Sequence, residues 1–184
     1  MLDGLPVKLI FLKDLSVEDG DFEEHGETFA DNAFLKAAYY SAKTGLPTIG
    51  EDSGILIDAF PGELGVKTRR WGAGEKASDS EWLEHFMKRM EGVEGRGGRF
   101  VCNACFVDGG ANLASYEGDT LGDITFEVEG PMLEGIPLSA VFKPQGHEKV
   151  YSALSAAEKN SISHRGKALH KMREFLAGIF SANQ

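Results

Sequence analysis

The chain has 184 residues, of which 42% are hydrophobic and 26% charged, and its formal net charge is −10. This length fits one domain over residues 1–184, and the composition is that of a globular rather than a disordered protein. The acidic balance argues against nonspecific nucleic-acid binding but does not exclude a nucleotide held by a metal ion and a few local cations. No apolar run is long enough to span a bilayer, no signal peptide is recognised, and two cysteines fit a reducing cytoplasm, so we expect no membrane partner and a cytoplasmic location.

The first 50 residues predict a short strand and one helix. Residues 7–11 are rich in β-forming side chains, and an acidic loop follows over 16–26. Thr28 and Asp31 have the spacing of a capping box, which predicts a helix beginning there. Gly45 and Pro47 are expected to end it.

A polar centre, Glu51-Asp52-Ser53-Gly54, interrupts two apolar runs and is interpreted as a polar turn. Buried polar groups of this kind are costly unless they are hydrogen-bonded or bind a ligand. This centre is therefore the strongest local indication of a functional site.

The middle of the chain predicts a loop, a helix and a connector. Residues 61–74 are glycine-rich and basic, which is typical of a surface loop. An amphipathic helix is predicted over 78–90, opened by a capping box of Ser78 and Glu81. Its apolar stripe, expected in the core, consists of Trp82, Phe86 and Met90. Residues 92–98 are interpreted as a flexible connector.

The second half predicts an antiparallel meander followed by helices. Three successive strands are expected over 99–107, 112–118 and 124–128, with turns at Asp108-Gly-Gly and Gly122-Asp123. Further elements are a strand over 141–144, a helix opened by Ser155 and Glu158, and a final helix over 163–177. Interleaved strands and helices predict the α/β class with a mixed sheet.

Cys102 and Cys105 form a C-x-x-C motif within a predicted strand. Side chains three residues apart on a strand point to opposite faces, so the two thiols are not expected to share a metal or a disulfide. Both are interpreted as buried packing residues.

The acidic residues Glu23, Glu24, Asp31 and Asp52 flank the predicted polar segments at both ends of the first helix. Hydrolysis of a phosphoanhydride requires neutralised phosphates and a positioned water, which Mg²⁺ held by one or two carboxylates can supply. Acidic side chains in loops are also commonly just solvated. Position alone does not decide between these readings.

Ser163-His164-Arg165 opens the last helix, shortly after Lys159. Donors at a helix N-terminus can bind the 6-keto oxygen of a purine, whereas adenine carries an amino group there. The simpler alternative is that Ser163 is only an N-cap and Arg165 a surface residue.

Taken together, these segments resemble the inosine/xanthosine triphosphate pyrophosphatase family. The resemblance spans most of the chain in order and is carried by EEHGETFADNAFLKA (23–37), GLPTIGEDSGILIDAFPG (45–62), RRWGAGEKASD (69–79), RFVCNACF (99–106), EGDTLGDI (117–124) and LSAAEKNSISHRGKAL (154–169). The EDSG and SHR segments together are specific, whereas either alone would be weak.

The resemblance implies a Mg²⁺-dependent enzyme that hydrolyses ITP, dITP and XTP to monophosphate and pyrophosphate. It implies a homodimer, a long mixed sheet flanked by helices, and two lobes with a nucleotide cleft between them. By position, Asp52 is the catalytic carboxylate and a metal ligand, and Glu23 and Asp31 are further metal ligands. The residues implied to bind substrate are Ser53, Arg70, Lys159, Ser163, His164 and Arg165.

Two departures from the family pattern bear on activity. The family's opening strand and Ser/Thr-x-Asn-x-x-Lys phosphate loop have no counterpart in this sequence, which leaves a sheet edge needing a dimer partner, a substitute strand or upstream sequence. GIPLSAVF (135–142) stands where relatives place an aromatic residue that stacks on the base. The alternative hypotheses are therefore a non-catalytic, dimeric nucleotide-binding or interaction protein that retains the fold, and an enzyme with a shifted substrate.

Overall fold

The computed structural model describes residues 2, 4–15, 17, 22–74 and 76–182, with the side chains of residues 69, 70 and 182 outside that description. Within it, the α-helices are Phe29–Thr44 (α1), Asp79–Arg89 (α2), Ala156–Ile162 (α3) and His164–Ala182 (α4). The strands are Thr48–Ile57 (β1), Gly97–Asp108 (β2), Ala111–Ile124 (β3) and Phe142–Pro144 (β4). Short 3₁₀ helices cover Leu12–Asp14, Gly65–Arg70, Pro137–Ala140 and Tyr151–Ala153. The predicted α/β class is confirmed.

The strands form one sheet in the order β1-β2-β3-β4. The sheet is antiparallel, where a mixed sheet was expected. Only two residues join β2 to β3, and a connection this short is compatible only with antiparallel neighbours. At the far end of the sheet, Ile124 of β3 lies opposite Phe142 of β4.

The prediction of three strands over 99–128 is wrong in one respect, because β3 continues through Gly122 without turning. A Cβ atom at Gly122 would lie 2.4 Å from the backbone oxygen of Lys143 and 2.6 Å from the ring of Phe142. Glycine therefore permits the close approach of β4 here, a use of glycine within strands that resembles a turn signal in sequence. The predicted strand over 124–128 is absent, and Phe126 is 80% exposed.

The β-rich segment over 7–11 also forms no strand, and Leu9, Ile10 and Phe11 are exposed. Residues 7–11 would need to pair with a neighbouring strand, and no strand of the described sheet lies beyond β1. Side chains instead bind backbone groups of β1. Lys36 donates to the Glu51 carbonyl (2.9 Å), and the hydroxyl of Thr68 accepts from the Ile55 amide (3.1 Å).

The helix starts follow local sequence signals. All three predicted capping boxes are present, pairing Thr28 with Asp31, Ser78 with Glu81, and Ser155 with Glu158. Helix α1 ends at Thr44, immediately before the predicted stop at Gly45. In each box the side chains satisfy amide groups that the first helical turn leaves unpaired.

The described residues divide into two compact units, each with its own apolar core. The first comprises Met1–Asp52, Cys102–Gly118 and Arg165–Gln184. On one face of β2, Ala33 and Ala37 of α1 pack against Cys105 and Val107 of the strand. On the other face, residues of α4 pack against Cys102, Ala104 and Phe106 of the strand; the α4 residues are Ala168, Met172 and Leu176. The prediction that the two cysteines are buried on opposite faces is thus confirmed, and both are free thiols.

Close contact between α1 and β1 depends on Gly50. A Cβ atom at this position would lie 2.4 Å from the backbone oxygen of Ala33 and 2.7 Å from the amide of Ala37. The missing side chain lets the helix approach the strand, which brings helix residues 32 and 36 within reach of its polar centre.

The second unit comprises Ser53–Val101 and Asp119–His164. The predicted apolar stripe of Trp82, Phe86 and Met90 lies in its core, as expected. The basic segment over 61–74 is less of a surface loop than predicted, because it contains the 3₁₀ helix Gly65–Arg70 and buries Trp71. Residues 137–140, within the divergent GIPLSAVF segment, are buried as well.

The expected flexible connector over 92–98 contains a buried arginine. Arg96 is 7% exposed, and its guanidinium donates to backbone oxygens of Met90, Val93, Ile124 and Thr125. Burial lowers the pKa of this guanidinium. The connector is therefore fixed by hydrogen bonds that its glycine-rich sequence does not suggest.

None of the helices in the described part of the chain is both long and apolar enough to span a membrane.

Candidate active site

The polar centre of β1 lies in a continuous strand rather than the predicted turn, and Asp52 is only 9% exposed. The amide nitrogen of Asn32, in α1, donates to Oδ2 of Asp52 (3.1 Å). The amide oxygen of Asn32 accepts from the backbone amide of Gly26 (2.7 Å). Because Asn32 is 1% exposed and bonded at both ends, it holds the Asp52 carboxylate in one orientation.

Lys36 lies one helical turn after Asn32 and faces the same strand. Its ammonium is 2.8 Å from a carboxylate oxygen of Glu24 and 3.8 Å from Oδ1 of Asp52. A cation thus stands between two carboxylates supplied by different segments of the chain. Sequence reasoning missed both α1 residues, although their i, i+4 spacing next to a polar strand was an available signal.

The three predicted metal ligands do not come together. Asp31 occupies the third helical position of the capping box, where its carboxylate accepts from the amide and hydroxyl of Thr28. Glu23 is exposed, and its neighbour Glu24 is the residue that reaches Lys36. Among the described residues, no group of three or more His, Cys, Asp or Glu side chains could hold a metal ion.

The opposite face of β1 carries a second charged group. Consecutive strand residues point to opposite faces, so Glu51 faces α4 where Asp52 faces α1. Arg165, at the start of α4, approaches both carboxylate oxygens of Glu51, with Nη2 2.8 Å from Oε1 and Nε 2.9 Å from Oε2. The thiol of Cys102 donates to Oε2 of the same carboxylate (3.2 Å).

The predicted purine-binding residues lie around the junction of α3 and α4. Ser163 is the buried C-cap residue of α3 and directly precedes α4 in the chain, and Lys159 is half-buried in α3. The ring of His164 stacks on Phe100, with centroids 5.1 Å apart and planes at 15°. The hydroxyl of Thr120 donates to the carbonyl of Ile162 (2.7 Å), which fixes the end of α3 just before this junction.

Two further predicted substrate ligands lie in the second unit. Ser53 follows Asp52 in β1 and is half-buried. Arg70 is the last residue of the 3₁₀ helix Gly65–Arg70, and its side chain lies outside the described part of the structure.

Asp52 and Arg165 approach opposite faces of β1, a strand at the end of the described sheet.

Comparison with known proteins gives a consistent picture. A model of the Ham1 family matches residues 1–175. The dITP/XTP pyrophosphatase of Bacillus licheniformis is 37% identical over 158 residues, 85% of this chain and 79% of the relative. The corresponding protein of Geobacter sulfurreducens is 33% identical over 178 residues, 96% of this chain and 87% of the relative.

Solved structures agree with the sequence matches. A Ham1 protein from Coxiella burnetii superposes with a TM-score of 0.79 at 31% identity, covering 91% of this chain and 89% of the other. The Ham1 protein of Staphylococcus aureus gives a TM-score of 0.79 at 30% identity, covering 87% of this chain and 82% of the other.

Proposed function

Since the chain belongs to the Ham1 family, we propose that it is a nucleoside triphosphate pyrophosphatase acting on non-standard purine nucleotides. It hydrolyses ITP, dITP and XTP to the monophosphate and pyrophosphate. Its relatives named dITP/XTP pyrophosphatase support this substrate class. The structural observation that carries the proposal is the buried Asp52 carboxylate, fixed by Asn32 beside the ammonium of Lys36.

Asp52 is the catalytic base. Its carboxylate accepts the proton of the water that breaks the anhydride bond between the α and β phosphates. Asn32 keeps this carboxylate oriented by donating to Oδ2. Correct orientation matters because a misplacement of about 1 Å can cost two orders of magnitude in rate.

The carboxylates around Lys36 fit Mg²⁺ held jointly with substrate. Mg²⁺ in nucleotide enzymes is bound by one or two carboxylates together with phosphate oxygens rather than by an all-protein cage. Asp52 and Glu24 supply two such carboxylates on either side of one ammonium. The chemistry supplied by Mg²⁺ is neutralisation of phosphate charge and polarisation of bound water. Glu24 replaces Glu23 and Asp31 in this assignment.

Positive and hydrogen-bonding groups bind the rest of the nucleotide. Lys36, Ser53 and Arg70 bind the phosphates, since ammonium, hydroxyl and guanidinium groups all donate to phosphate oxygens. The purine is bound by Lys159, Ser163, His164 and Arg165. Arg165 and His164 donate to the 6-keto oxygen, and because a guanidinium has no acceptor, it cannot pair with the amino group of adenine.

The test is pyrophosphate release from ITP, dITP and XTP with Mg²⁺. We expect Asp52→Asn to lose at least two orders of magnitude in kcat, in line with the loss of a general base. Equal background rates in the wild-type protein and this variant would overturn the proposal.

Two adjacent glutamates offer a matched pair for the metal assignment. Glu24→Gln should raise the Mg²⁺ concentration needed for half-maximal activity, because it removes one of two carboxylates. Glu23→Gln removes the same charge from an exposed side chain and should leave that concentration unchanged. If Glu23→Gln raises this Mg²⁺ concentration and Glu24→Gln does not, Glu23 is the metal ligand.

The proposal includes a homodimer, which the family resemblance implies. Sedimentation equilibrium distinguishes a dimer from the 20.0 kDa monomer. A monomer at the concentrations that support turnover would remove this part of the proposal.

A further inference from the structure

We infer that Glu51 is a positioning residue that sets purine selectivity by holding the guanidinium of Arg165. The inference rests on the proposed function, in which Arg165 binds the 6-keto oxygen. It adds that selectivity depends on a carboxylate that does not itself contact the base.

The geometry of the pair fixes the guanidinium plane. Arg165 uses two nitrogens, Nε and Nη2, against the two oxygens of one carboxylate. Parallel bonds of this kind define the orientation of a guanidinium as well as its distance, which a single bond does not. Arg165 otherwise has a long, flexible side chain with many rotamers.

The stability provided by the pair is small. The side chains of Arg165 and Glu51 are 48% and 36% exposed, and exposed ion pairs contribute little to folding. The pair is therefore better explained by its effect on geometry than by its effect on stability.

Cys102 also holds this carboxylate, at the oxygen that Nε of Arg165 contacts. Its thiol is 0% exposed and donates to Oε2 of Glu51 at 3.2 Å. Cys102 also packs in the apolar cluster with Ala168 and Met172 of α4, the helix whose first turn contains Arg165. Glu51 is thus linked to this buried cluster through the Cys102 thiol, and Arg165 is linked to it through α4.

An oriented guanidinium discriminates between purines because it only donates. A keto purine presents an acceptor to it, whereas adenine presents a donor and leaves the guanidinium hydrogen unpaired. If Arg165 could swing away, it would lose the bond to the keto oxygen and would also relieve the conflict with adenine. Releasing Arg165 should therefore reduce the preference for keto purines.

The experiment measures the ratio of kcat/KM for ITP to kcat/KM for ATP. Both nucleotides carry the same triphosphate, so changes in stability, metal affinity or phosphate binding cancel in this ratio. We expect Glu51→Gln to lower the ratio about tenfold or more, the loss of one hydrogen bond to a charged group. Cys102→Ser, which keeps a donor, should preserve the ratio better than Cys102→Ala.

Two comparisons separate positioning from a general structural effect. Glu63→Gln breaks a similarly exposed pair with Arg89 in the second unit and should leave the ratio unchanged. In an Arg165→Met background, adding Glu51→Gln should change the ratio no further, because the residue through which Glu51 acts is gone. The inference would be overturned if Glu51→Gln lowered the ITP/ATP ratio further in the Arg165→Met background. It would also be overturned if Glu51→Gln alone left the ratio unchanged.

Binding measurements keep this test independent of turnover. Dissociation constants for ITP and ATP, measured by calorimetry in an Asp52→Asn background, give the same selectivity without hydrolysis. Absence of turnover in the wild-type protein would sink the proposed function. An ITP preference in binding that is insensitive to Glu51→Gln would sink the inference about Glu51.

Discussion

Asn32 connects the segment before α1 to Asp52, and its replacement by leucine tests both the structural and the chemical part of that role. Leucine has the same branching at Cγ but forms neither hydrogen bond of the buried amide. The bond to the Asp52 carboxylate is of the charged type, worth about 1.5–3 kcal/mol, and the bond from the Gly26 amide is worth about 1 kcal/mol. We therefore expect Asn32→Leu to lose about 3 kcal/mol of unfolding free energy.

The assay is urea unfolding followed by circular dichroism, combined with kcat for ITP well below the unfolding transition. Asn103→Leu is the matched control, because Asn103 is also buried in the first unit and donates to the carboxylate of Glu117 (3.2 Å). This control should lose less stability, since it removes the bond to Glu117 rather than two hydrogen bonds, and it should retain its kcat. Asn32→Leu should lose at least tenfold in kcat.

The two variants separate positioning of Asp52 from general destabilisation. If Asn32→Leu keeps wild-type kcat while folded, the orientation of Asp52 does not depend on this amide. If both variants lose kcat equally, the loss reflects weakened packing of the first unit. Either result would refute the reasoning.

Three other predictions concern stability. Arg96→Met should lower the unfolding free energy by about 3 kcal/mol, because four backbone carbonyls lose a buried donor, and urea titration measures this. Gly122→Ala should cost about 1–3 kcal/mol through overpacking against Phe142, whereas Gly95→Ala, with open space around it, should be neutral by the same measurement. Burial raises the pKa of the Cys105 thiol to about 11, so between the ordinary thiol pKa of about 8.5 and that value only the unfolded chain loses the proton. Stability should therefore fall as the pH rises through this window, and Cys105→Ala should flatten the decline in urea midpoints.

Features set by neighbouring residues could be predicted from the sequence. The capping box of Thr28 and Asp31 depends on four residues and a backbone geometry that they determine themselves. The opposite orientation of Cys102 and Cys105 follows from strand alternation alone. These predictions needed no knowledge of which segments meet in the folded chain.

Features that depend on distant contacts could not be predicted in this way. Gly122 has the sequence signature of a turn, and only the pairing of β3 with β4 shows that it accommodates Phe142. Similarly, nothing local distinguishes Glu23 from Glu24. Which of them meets Lys36 depends on how the acidic segment lies against α1.

The alternation of Glu51 and Asp52 has a consequence for how such an enzyme can change. With the roles proposed above, a single peptide bond separates the residue that governs which base is accepted from the residue that performs hydrolysis. Their side chains nevertheless lie in separate surroundings, one against α4 and the other against α1. Substitutions at Glu51 can therefore change which bases are accepted during evolution, while the adjacent Asp52 and its contacts with α1 are retained.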